Sequence, residues 1–206
     1  MQQMAKLKIL QADQSYTFHS YFEMSHEVDE ILAELGYAFE VNYLTLPRSE
    51  QIPQQLAQLK QDLEDTLPLT RLSSETARRE ALVAPVLFAV ARWCRCQIRV
   101  EYPLQINNWL KGTLDYLLQS PTSLIVVEAK RDDLERGFKQ LAVELIAMAE
   151  VGEQSILYGA VTIGEAWRFG RLNREQQQIT QDINLYVVPD RLETVVSILL
   201  GILNRG

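Results

Sequence analysis

Residues 111–130, KGTLDYLLQSPTSLIVVEAK, constrain this chain more than any other stretch. Two apolar runs of strand length flank Ser120, Pro121 and Thr122, residue types that favour a turn. A third such run precedes them, across Asn107 and Asn108. The spacing predicts three strands, 97–104, 109–118 and 123–129, with hairpin-length connections and hence antiparallel pairing. Asp115, Glu128 and Lys130 fall inside this meander. Charged groups in strands that ought to be buried mark a place where local pattern and chemistry conflict, and such conflicts mark sites.

Glu128 and Lys130 are two residues apart, so in a strand their side chains leave the same face. Hairpin pairing brings Asp115 within several ångströms of both. Two carboxylates so close repel unless a cation lies between them, and hard oxygen donors select Mg²⁺ or Mn²⁺. A dication there polarises a phosphoryl oxygen and acidifies a water. The neighbouring Lys130 would orient that water or stabilise charge developing at phosphorus. These parts suit metal-dependent hydrolysis of a phosphodiester.

Around the meander, periodicity predicts an alternation of helices and strands. The 5–22 stretch is expected to be a strand followed by a hydrophobic flap containing Tyr16, Phe18, Tyr21 and Phe22. Val28, Ile31, Leu32 and Leu35 recur at helical spacing and stop at Gly36; 37–46 alternates as a strand; Leu56, Leu59 and Leu63 mark a further helix. Ser73 and Ser74 begin a longer helix over SETARREALVAPVL, with Glu75 and Arg79 near the centre of its apolar stripe and Glu80 towards one edge. Pro85 in its middle costs ~3 kcal/mol in an ideal helix, which predicts a kink or a late start. Asp132 and Asp133 lead into a helix that is apolar on nearly all sides from Leu141 to Ala149, as expected of one packed on both faces. SILYGAVTIG and EAWRFGRLN read as strands about a Gly164 turn, NLYVVP as one more strand, and LETVVSILLGILN as a C-terminal core helix. The order predicts one α/β or α+β layered domain.

Totals limit what such a domain does. The net charge is -7, so no basic surface advertises polyanion binding, and any nucleic-acid contact must be a local patch. No apolar run reaches the ~18 residues of a membrane span, and the N-terminus lacks a signal-peptide core, so a cytoplasmic protein with no membrane partner is expected. Cys94 and Cys96 argue against a disulfide framework, and with His19 and His26 they lack zinc-site spacing; two half-buried thiols at a helix end are expected.

The meander also resembles the core motif of the PD-(D/E)XK nuclease superfamily, in which an acid on one strand precedes acid-x-Lys on the next: here GTLDYLL, then LIVVEAK. The resemblance covers roughly residues 73–190, from SETARREALVAPVL through RGFKQLAVELIAM to YGAVTIGEAWRF and NLYVV. It implies a restriction-endonuclease-like core at 73–206, a central mixed sheet flanked by helices, with residues 1–72 as an N-terminal α/β extension packed on it. It implies Mg²⁺ held by Asp115, Glu128 and the backbone carbonyl of Ala129, with Lys130 acting on the attacking water. Glu75, with Glu80 as the alternative, would be a supporting or second-metal acid, and Gln140 would help orient the water or Lys130.

DNA binding is driven by Lys and Arg at phosphates. An acidic chain must therefore gather cations near the cleft, and Arg79, Lys111, Arg131 and Lys139 are the candidates, with Arg78 and Arg136 beside them. Cutting two strands takes two sites, so a homodimer is a further expectation, and the apolar tail TVVSILLGIL reads either as its interface or, in the preferred reading, as a core helix. Two functions follow: a metal-dependent DNA endonuclease, or a nuclease-fold module that binds without cutting.

Overall fold

The computed structural model describes residues 8–204. Eight strands form one mixed sheet. They are β1 (Ala38–Asn42), β2 (Gln97–Gln105), β3 (Lys111–Gln119), β4 (Leu124–Ala129), β5 (Ile156–Thr162), β6 (Ala166–Asn173), β7 (Gln178–Asp182) and β8 (Tyr186–Val187). The order is β1-β7-β6-β5-β4-β3-β2, with β8 paired to β6 off the main path. The β2, β3 and β4 meander is antiparallel as expected, whereas β4 pairs with β5, and β1 with β7, in parallel.

Helices cover both faces. On one side lie α3 (Leu56–Thr66), α5 (Ala84–Cys94) and α7 (Leu192–Leu203), whose apolar residues join Tyr116, Leu118, Ile125 and Val127 in one core. On the other, α6 (Leu134–Val151) makes the crossover from β4 to β5 and packs on Leu117, Val126 and Val161. Its outer side is covered in turn by α1 (Phe18–Glu23) and α2 (Val28–Glu34), which contribute Phe18, Tyr21, Ile31 and Leu32. A helix apolar all round is stable only with such double cover. The N-terminal segment thus completes one core through α1 and α2 and extends the sheet through β1.

Several expectations change. Of the strand and flap expected over 5–22, residues 5–7 lie outside the described residues, 8–17 form no strand, and the aromatic cluster is helical, started by a Thr17 and Ser20 capping box. The β7 strand was not legible: QITQD is polar, yet β6 and β1 pair with it on both sides and bury Ile179 through Asp182. The strand at NLYVVP shrinks to the two residues of β8, and β1 ends at Asn42 rather than running on to Leu46.

The helix that carries Glu75 does start at Ser74, whose hydroxyl accepts the Ala77 N–H at 3.1 Å. It runs as α4 (Glu75–Arg78), a π-helical segment (Arg79–Val83) and then α5. Pro85 has no N–H to give, and the widened turn before it replaces the expected kink, with the Ala84 N–H reaching back to the Arg79 carbonyl.

At its far end Cys94 and Cys96 are bonded to each other across Arg95, which takes a left-handed conformation at φ 53°, so the expected free thiols are not present. The C-terminal helix α7 is buried within the chain's own core, which leaves its apolar face no part in a dimer interface. Among the described residues, no helix is long and apolar enough to cross a membrane.

Candidate active site

Pairing of β3 with β4 ends at Tyr116 and Val127, and pairing of β2 with β3 skips Asp115 and Glu101. Glu101 adopts φ 52°, a left-handed conformation rare for a residue with a side chain. The strands therefore part at Asp115, and its side chain enters the gap. Asp115 Oδ2 accepts the Ala129 N–H at 2.8 Å, while Oδ1 faces Arg79 Nη1 at 3.5 Å. Arg79 also reaches Glu101 at 3.5 Å and lies over the Tyr116 ring, 5.2 Å from its centroid. Arg79 thus holds Asp115 in place from within the fold.

Beyond the gap, Glu128 near the end of β4 and Lys130 just past it bring their side chains together, as a spacing of two predicts. Lys130 Nζ is 2.5 Å from Glu128 Oε1, and both residues are at most 7% exposed. The Lys130 main chain is fixed by its N–H to the Thr162 carbonyl of β5 at 2.8 Å. Its ammonium also sits 5.0 Å from the centroid of the Phe22 ring on α1. Helix α6 approaches closely because residue 137 is glycine: a Cβ there would stand 2.7 Å from Val161 Cγ2 and 3.0 Å from Lys130 Cγ.

From α6, Gln140 Nε2 donates to Glu128 Oε1 at 2.6 Å and to Glu144 Oε1 at 2.8 Å. Glu144 was not among the expected site residues. Its signal was present, since it is the lone acid in LAVELIAMA, one turn beyond Gln140 and so on the same face.

Charge is concentrated here. Burial, then Glu144 and Asp115, push the Glu128 carboxyl well above the usual carboxylate range against the pull of Lys130. Burial likewise pushes Glu144 up to about 8, with Asp115 adding to it. Burial disfavours the Lys130 ammonium, but Glu128, Asp115 and Glu75 outweigh it and hold its pKa above that of a free lysine. Glu75 therefore lies within electrostatic reach of Lys130 and is half-buried, whereas Glu80 is exposed, which favours Glu75 of the two helix acids.

Three acidic side chains crowd one ammonium, and the raised pKa values of Glu128 and Glu144 are the response, because a protonated carboxyl carries no buried charge. Glu128 Oε2, Glu144 Oε2 and Gln140 Oε1 are buried without hydrogen-bond partners. Mg²⁺ takes one or two carboxylates and completes its shell with water; of the two expected ligands, Asp115 already accepts from the Ala129 N–H and Glu128 Oε1 from Lys130 and Gln140, which leaves Glu128 Oε2 as the oxygen without a partner. Among the described residues, no group of three or more His, Cys, Asp and Glu side chains is arranged to hold a metal. His19 Nε2 lies 3.4 Å from Glu23 Oε1, and Cys94 and Cys96 are bonded to each other.

The expected nucleic-acid contacts fare unevenly. Lys139 is buried, and its Nζ donates to the Met24 and His26 carbonyls at 2.7 and 2.6 Å: it ties the loop between α1 and α2 to α6 and is not a phosphate contact. Arg79 is committed to Asp115 and Glu101. Arg78 bonds Glu165 and the Ile163 carbonyl. Arg131 is exposed and paired with Asp132, Arg136 is beside Asp133, and Lys111 is half-buried at the start of β3. No protein-family model and no curated protein matches the chain.

Proposed function

We propose that this protein is a metal-dependent nuclease with a restriction-endonuclease-like core over residues 73–206, hydrolysing phosphodiester bonds of DNA. One observation carries the proposal: Asp115 and Glu128 enter one gap from neighbouring strands, with the Lys130 ammonium 2.5 Å from Glu128 and the Ala129 N–H on Asp115. Asp115, Glu128 and the Ala129 carbonyl would hold Mg²⁺ or Mn²⁺, which when bound supplies Lewis acidity at a phosphoryl oxygen and a more acidic water.

Every other contribution is the chain's own. Lys130, fixed by Glu128 and β5, stabilises the negative charge that builds on the phosphoryl oxygens as the water oxygen bonds to phosphorus and the bond to the leaving sugar oxygen breaks. The water's proton passes to solvent, and the leaving oxygen takes one up. Gln140 orients the water, Glu75 holds the electrostatic balance at Lys130, and the backbone of β5 keeps Lys130 from moving.

One observation favours a second function, a nuclease-fold module that binds without cutting. The net charge is -7, and Arg78, Arg79 and Lys139 are committed to partners inside the fold. Incubating supercoiled plasmid and branched DNA with the full-length protein and Mg²⁺ or Mn²⁺ separates the two. Metal-dependent cutting that disappears in Lys130→Ala and Asp115→Ala supports the nuclease. Absence of cutting on every substrate, with both ions, rejects it.

A further inference from the structure

Gln140 and Glu144 stand one turn apart on α6, and the Gln140 amide reaches both Glu128 and Glu144. A primary amide carries its donors on nitrogen and its acceptor on oxygen. Two carboxyl oxygens, Glu128 Oε1 at 2.6 Å and Glu144 Oε1 at 2.8 Å, both accept from the amide nitrogen. The other end of the amide is thereby set: Gln140 Oε1 is buried and has no hydrogen-bond partner. Leaving such an acceptor unpaired costs ~1 to 3 kcal/mol, and an acid buried where leucine would pack costs stability as well, so the arrangement needs a use. Glu144 is 0% exposed and, among the described residues, its side chain bonds only within this cluster.

We propose that Glu144 is a positioning residue: it fixes the Gln140 side chain so that its NH₂ is turned onto Glu128 and its Oε1 is held ready to accept a hydrogen bond from the attacking water. The water's identity rests on the nuclease assignment above; the hold on the amide does not. With Glu144 replaced by glutamine, the partner offers both a donor and an acceptor, and the Gln140 amide is free to turn over. With leucine it keeps Glu128 alone.

The full-length, metal-free protein labelled with ¹⁵N provides the test. The side-chain NH₂ pair of Gln140, identified by its loss in Gln140→Ala, is expected to be shifted from the exposed glutamines and protected from solvent exchange. Glu144→Gln and Glu144→Leu should each move the pair and cut its protection at least ~10-fold while thermal unfolding shows both variants folded. In DNA cleavage, Glu144→Gln should lower kcat ~10- to 100-fold with KM for DNA unchanged, the range typical when a supporting hydrogen-bond partner is lost. An unmoved NH₂ pair in both folded variants overturns the proposal. Wild-type protein that cuts no DNA overturns the nuclease assignment and the water's role, while a shifted pair still establishes that Glu144 orients Gln140.

Discussion

Asp115 Oδ2 accepts the Ala129 N–H at 2.8 Å, so an acidic side chain of β3 stands where a main-chain carbonyl would continue the ladder with β4. The same carboxylate is the partner of Arg79. Asp115→Ala removes both interactions and leaves a buried donor unpaired, so it should destabilise the fold by ~1 to 3 kcal/mol. Asp115→Asn keeps an oxygen that accepts from Ala129 and should lose less. Urea unfolding of the two variants measures the difference; equal losses would mean that the bond to Ala129 does not hold the strands.

Glu128 and Lys130 form a buried pair whose partners depend on each other. Lys130→Met leaves Glu128 without its ammonium, and breaking one side of a buried pair typically costs ~3 to 5 kcal/mol. Glu128→Gln together with Lys130→Met removes both charges and should recover most of that loss. A double-mutant cycle by denaturant unfolding reads the coupling, and additive losses would show that the pair is not coupled.

Gly137 sets how near α6 comes to Lys130. Gly137→Ala drives a methyl against Val161 and the Lys130 side chain and should destabilise by ~1 to 3 kcal/mol, as overpacking does. Thermal unfolding checks this; a stability equal to wild type would mean that the helix shifts freely.

Glu34 makes the N-terminal segment sensitive to acid. Its carboxylate accepts the Ile9 and Leu10 N–H groups at 2.6 and 2.8 Å. Partial burial works against ionisation, but these two donors and Lys8 outweigh it and lower the pKa. A lowered folded pKa binds fewer protons than the unfolded chain, so the contribution is complete above the ordinary carboxylate range and is lost as pH falls through the folded value. The protection factors of the Ile9 and Leu10 amides, which remove the intrinsic pH dependence of exchange, should therefore fall on acidification in wild type more than global stability accounts for. Glu34→Gln should show low protection across the range, and a pH-independent protection factor in wild type would contradict the assignment.

Much of the site was legible because its parts are local. Strand periodicity and two turn clusters place Asp115, Glu128 and Lys130 within a hairpin, and a spacing of two puts the last pair on one face. Gln140 came from the resemblance to the nuclease motif, which implies a glutamine on the helix after the Lys strand. What escaped depends on contacts distant in sequence. Glu144 was masked by the apolar helix around it, and only the meeting of α6 with β4 gives that acid its role. Lys139 looked like a phosphate contact until the loop carbonyls of Met24 and His26 claimed its ammonium. The polar strand β7 exists because two neighbours pair with it, and Arg79 turns towards Asp115 through a π-helical segment that no propensity foretells.

The shared divalent ion is the central claim, and Mn²⁺ binding to chelator-treated full-length protein, followed by electron paramagnetic resonance, tests it most directly. Wild type should take up Mn²⁺ saturably, Mg²⁺ should compete, and Asp115→Asn or Glu128→Gln should abolish uptake while the protein stays folded. No saturable binding by wild type, or binding that survives both substitutions, would contradict a metal site at Asp115 and Glu128.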